Sequence, residues 1–120
     1  MANEAYYSVT VKASKNGATV NQATSKRLSM TGAEMLQATQ NIGTTAETVS
    51  FGGIGGVPQL LLVQNLDTTN YLELGGDSGL TVFKLKVPAG QIAVFTPTSA
   101  TLYAKANTAA VNALFVAIEA

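Results

Sequence analysis

The stretch from Pro58 to Phe95 constrains the fold more than any other part of the chain. Leu60 to Val63 is a short apolar run bounded by Pro58 on one side and Asn65-Leu66-Asp67 on the other. A run so short and so flanked fits a strand buried on both faces better than a helix. Asp67-Thr68-Thr69-Asn70 is turn chemistry, because Asp and Asn side chains bond nearby backbone and tolerate unusual φ. Tyr71 to Leu74 resumes as a strand, and Gly75-Gly76-Asp77-Ser78-Gly79 breaks it. Phe83, Leu85 and Val87 then alternate with Lys84 and Lys86, the period of a half-buried strand. Pro88-Ala89-Gly90 turns the chain into a fourth strand, Ile92 to Phe95. Four strands joined by short turns predict an antiparallel meander whose apolar face the rest of the chain covers.

The flanking segments repeat this pattern. Tyr7, Val9 and Val11 fall on one face of a strand over residues 5–14, and Asn16-Gly17 signals a type I′ hairpin turn. Ala18 to Thr31 reads as a polar strand suited to an edge. Thr31-Gly32-Ala33-Glu34 has the spacing of a capping box, so a helical turn over Thr31 to Leu36 competes with another strand. Thr44 to Phe51 alternates with one slip of phase, as a bulge would produce. Gly52 to Gly56 is a backbone hinge: no Lys-Ser/Thr pair or helix follows it, so a phosphate-cradling loop fails. Leu102, Ala104 and Ala106 alternate with Tyr103 and Lys105, and a last strand, Asn112 to Glu119, is expected to turn Leu114, Val116 and Ile118 inward. Short strands at regular spacing indicate an all-β sandwich or barrel, here one domain over 1–120.

Charge and reactive residues narrow the function. Only 12% of residues are charged, against about 25% in ordinary soluble domains. Seven basic and seven acidic residues give a formal net charge of zero. Copies of such a chain repel each other weakly, which tolerates self-association, and nothing in the overall balance calls for nucleic acid. No apolar run approaches the roughly 18 residues that cross a bilayer, so no membrane partner is expected. The start, Met1 to Tyr7, lacks a charged region followed by an apolar one, so no cleaved signal is expected.

The chain has no Cys and no His, which removes the usual nucleophile, base and metal ligand. Glu73 and Asp77 are close enough in sequence for a carboxylate pair, and Asp67 with Asp77 for a calcium site. A solvated strand face and turn aspartates account for them more simply. No catalytic residue, metal or cofactor is assigned. The residues best suited to an interface are Tyr6, Tyr7, Leu28 and Met30; Tyr buries a large area with few rotors.

Val63 to Gly75, Phe83-Lys84-Leu85-Lys86 with Pro88-Ala89-Gly90, Ala93 to Phe95, and Leu102 to Thr108 together form an ordered series of turns and strands. From Leu62 to the C-terminus this order resembles small structural proteins of tailed bacteriophage virions. The resemblance implies an antiparallel β-sandwich, jelly-roll-like, with at most one short helical turn. It further implies a capsid decoration or cement protein, or a head–tail accessory, assembled in the host cytoplasm into the virion. Such a protein works without chemistry, as a homo-oligomer with a trimer favoured, against a major capsid or other virion protein. The rival expectation is a carbohydrate- or receptor-binding sandwich of a tail or head fibre, which the absence of Trp and an aromatic content of 7% disfavour.

Overall fold

The structure, a computed structural model, describes residues 4–120. The described residues form strands, turns and loops without a helix. The chain divides into two compact units, Met1–Thr31 and Gly32–Ala120. The sandwich occupies the second.

The first unit is a hairpin. β1 (Ala5–Lys15) pairs antiparallel with β2 (Ala18–Leu28) in unbroken register from Ala5↔Leu28 to Lys15↔Ala18. Asn16 (φ 50°) and Gly17 (φ 83°) both take positive φ, as the type I′ turn requires. The Glu4 carboxylate accepts the Met30 N–H at 3.0 Å and ties the two ends of the hairpin together. Every residue from Thr10 to Arg27 is exposed.

The second unit holds β3 (Met35–Ile42), β4 (Glu47–Thr48), β5 (Leu60–Asn65), β6 (Leu72–Gly75), β7 (Lys84–Val87), β8 (Ile92–Phe95), β9 (Tyr103–Ala106) and β10 (Val111–Ile118). They make two antiparallel four-stranded sheets, ordered β3-β10-β5-β8 and β4-β9-β6-β7. The pairs β3/β10, β4/β9, β5/β8 and β6/β7 are nested, as in one long hairpin with its tip between β6 and β7. Folding that hairpin over adds the pairs β5/β10 and β6/β9. The result is a jelly-roll β-sandwich. Its core holds Ile42, Val49, Phe51, Leu61, Val63, Leu72, Leu74, Val87, Leu102 and Phe115, with small Ala104, Ala113 and Ala117 between them.

Three expectations change. The segment Thr31 to Leu36 is not a helical turn: a bend leads into β3, whose Met35 pairs with Ile118, so sheet pairing overrides the capping-box pattern. The Pro58–Phe95 stretch is not a meander. β6 pairs with β7 in one sheet and β5 with β8 in the other, so of the three successive neighbours only β6 and β7 pair. Short polar turns look alike in sequence whether the next strand pairs or crosses to the opposite sheet. Finally, β10 turns Val111, Ala113, Phe115 and Ala117 into the core and leaves Leu114, Val116 and Ile118 on the other face, only half-buried. β5 behaves likewise: Leu61, Val63 and Asn65 are buried, while Leu60, Leu62 and Gln64 are half-buried on the opposite face.

Asn65 is wholly buried at the end of β5. Its amide donates to the Asn70 carbonyl (2.9 Å) and the Val87 carbonyl (3.0 Å), and its side-chain oxygen accepts the Asp67 N–H (2.9 Å). Its backbone N–H donates to the Gln91 carbonyl and its carbonyl accepts the Gly90 N–H. It therefore joins the β5–β6 crossing to the β7–β8 crossing. Asn65→Ala removes three side-chain bonds and strands the buried Val87 carbonyl, so urea unfolding should show a loss of about 3 kcal/mol. An unchanged midpoint would show that Asn65 does not hold the crossings.

Candidate interaction surface

The two sheets differ sharply in charge. In the β4-β9-β6-β7 sheet, Glu47, Glu73, Lys84, Lys86 and Lys105 all lie on strands. Glu73 is in register with Lys86 on one side and Lys105 on the other, and bonds Lys84 at 3.3 Å. No strand of the β3-β10-β5-β8 sheet carries a charged residue.

The outer face of that uncharged sheet carries an apolar patch towards the Met35–Ile118 end, with Asn41 and Asn112 at the other. Cross-strand register places Met35, Ile118 and Leu60 in one row, Gln37, Val116, Leu62 and Val94 in the next, and Thr39, Leu114, Gln64 and Ile92 in a third. These side chains stand outside the core cluster. Met35 and Ile92, at its two edge strands, are 65% and 56% exposed. Strands that are apolar on both faces belong to sheets covered on both sides. A contiguous apolar face at the surface marks an interaction site.

Acidic groups stand at one end of this face. Glu34 precedes β3 and Glu119 follows β10. The Glu119 carboxylate accepts the Glu34 N–H at 2.9 Å, and the Glu119 N–H donates to the Glu34 carbonyl at 3.1 Å. The same carboxylate packs on Gly32, leaving no room for a Cβ there. Beside β3, a cleft of about 250 Å³ is lined by Leu36, Ala38, Thr39, Gln40, Ser50 and Phe115. Gln40 spans it, donating to the Thr48 carbonyl (3.0 Å) and accepting the Ser50 N–H (3.0 Å).

The interface candidates read from sequence all lie in the hairpin. Tyr6 is 56% exposed on β1, with the Arg27 guanidinium 5.2 Å over its ring. Tyr7, in register with Lys26, and Leu28, in register with Ala5, share the opposite face and are half-buried. Met30 lies beyond the end of β2 and is buried. Tyr7 and Leu28 come together on one face; Tyr6 stands apart from them. Sequence reading missed the outer sheet face because it assigned Leu114, Val116 and Ile118 to the core. The signal was there: β10 alternates apolar with apolar, so both of its faces needed cover.

The carboxylates considered for chemistry have structural partners. Asp77 accepts the Thr81 hydroxyl and N–H, both at 2.6 Å, and the Val82 N–H at 3.0 Å; the Thr81 hydroxyl foremost, then the Val82 N–H, hold its pKa below the usual carboxylate range. Asp67 is lowered likewise, by the Asn70 N–H (2.6 Å) and then the Thr69 N–H (3.0 Å). Among the described residues, no three of His, Cys, Asp and Glu gather as a metal site. No protein-family model, curated protein or solved structure matches the chain.

The lowered Asp67 and Asp77 values set a pH dependence. Both folded values lie below the unfolded value near about 4, so this stabilisation is fully present above about 4 and is lost as pH falls through the folded values. The urea midpoint should drop as pH falls below about 4, and drop less in the Asp67→Asn/Asp77→Asn chain. Equal drops in both chains would remove these turns from the acid response.

Proposed function

We propose that this is a non-enzymatic structural protein that works by self-association, a decoration or cement component of a tailed-phage virion built as a homo-oligomer. The observation that carries the assembly part is the uncharged sheet with apolar residues on both faces. Such a face is costly to leave in water, at roughly 25 cal/mol per Å² of apolar surface, and is stabilised by a protein partner. The low charge of the whole chain removes the repulsion that would oppose it. The virion part rests on the resemblance of residues 62–120 to small phage structural proteins; a jelly roll is one of the folds viral capsids use, and that is an analogy of fold.

The carbohydrate-binding alternative needs free aromatic faces. Tyr6 carries Arg27 on its ring, and Tyr71 carries Lys86 with its ammonium 4.4 Å from the ring centre. Those faces are occupied by cations, which leaves the assembly reading ahead.

Light scattering on the purified protein at micromolar concentration should give a closed oligomer. A trimer has three times the chain mass of 12.4 kDa. A monomer at every concentration tested would overturn self-association, and a glycan screen would then test the alternative.

A further inference from the structure

The formal charge of zero hides two opposite halves. Lys12, Lys15, Lys26 and Arg27 against Glu4 give the hairpin unit a side-chain charge of +3. Lys84, Lys86 and Lys105 against Glu34, Glu47, Asp67, Glu73, Asp77 and Glu119 give the sandwich unit −3. The hairpin register also sorts its side chains by face. Tyr7, Val9, Val11, Ala13, Val20 and Leu28 share one face with Gln22, Thr24 and the lysines Lys15 and Lys26, while Tyr6, Ser8, Thr10, Lys12, Asn21, Ser25 and Arg27 share the other. Towards the tip the apolar face is open, with Val11 55% and Val20 57% exposed. A two-stranded hairpin is marginally stable alone in water, so 11-residue strands with an open apolar face call for a partner surface.

We infer that the hairpin of one copy docks by this apolar face on the outer face of the β3-β10-β5-β8 sheet of a second copy. The inference rests on the self-association proposed above and names its surfaces. Three observations choose the second copy as occupant. The arm is cationic and the sandwich anionic by equal amounts, so arm-to-sandwich contact is attractive between copies. Arm-to-arm packing would bring +3 against +3 and is opposed. The sheet face is itself uncharged, and the charges that flank its strands in sequence, Glu34, Asp67 and Glu119, are all acidic. The arm's lysines thus meet carboxylates around an apolar centre, the layout of a polar rim about a hydrophobic core.

The test mixes light and 15N-labelled copies of the full chain and joins amines to carboxylates with a carbodiimide. Light-to-heavy products linking Lys15 or Lys26 to Glu34, Asp67 or Glu119 are expected. A second measurement uses Val11→Ser/Val20→Ser, two exposed positions whose change leaves the sandwich core untouched. Self-association should weaken at least about ten-fold while the unfolding of the sandwich is unchanged. An oligomer that persists unweakened in this variant, or whose arm-to-sandwich products all stay within one isotope, overturns the arm docking and leaves the proposed assembly standing. A parent chain that is monomeric throughout overturns both.

Discussion

Asn65 is the point through which the sandwich is joined. A jelly roll is a long hairpin folded over itself, and the fold requires the chain to leave one sheet and enter the other at fixed places. Two of those crossings, β5 to β6 and β7 to β8, meet at Asn65, whose side chain and backbone together reach Asp67, Asn70, Val87, Gly90 and Gln91. An apolar residue here would pack, but it would leave the Val87 and Asn70 carbonyls without these bonds. A buried polar group that is fully paired specifies one arrangement over its competitors. With the crossings held, β5 lies between β10 and β8, and the uncharged sheet is complete.

That sheet serves the core and the surface with the same strands. On β10 the inward set is Val111, Ala113, Phe115 and Ala117, in which one large ring is accommodated by small neighbours; the outward set is Leu114, Val116 and Ile118. The same strand supplies the core with its largest wholly buried side chain and the surface with an apolar stripe. A chain that needed only to fold could carry polar residues at the three outward positions at no cost to its core. The core does not account for their apolar character, and the proposed self-association makes use of it.

How much of this could be read from sequence depended on how many independent signals each segment carried. The Asn16-Gly17 turn was legible because both positions need positive φ, and few residue pairs supply it. The inward face of β9 was legible because Leu102, Ala104 and Ala106 alternate with Tyr103 and Lys105. The phase of β10 was not, because period-2 reading needs polar residues on one face and β10 has a single one, Asn112. The crossings of β5 and β7 were hidden because they are set by tertiary bonds of Asn65 to residues 2 to 26 positions away. The opposed charges of the two units cancel in the total, so composition concealed what the boundary at Thr31 and Gly32 reveals.

The edges of the two sheets differ in what guards them. An edge strand offers unpaired backbone groups to any passing strand, and charged side chains or short length normally guard it. The charged sheet is guarded at both edges, by the two-residue β4 with Glu47 and by β7 with Lys84 and Lys86. The uncharged sheet is guarded less: β3 is eight residues long without a charge or a proline, and β8, wholly apolar, is guarded only by its length of four residues. The less guarded edges and the exposed apolar patch thus fall on the same sheet, with carboxylates at its margin and a cationic hairpin on the same chain, and it is on this coincidence that the proposed self-association rests.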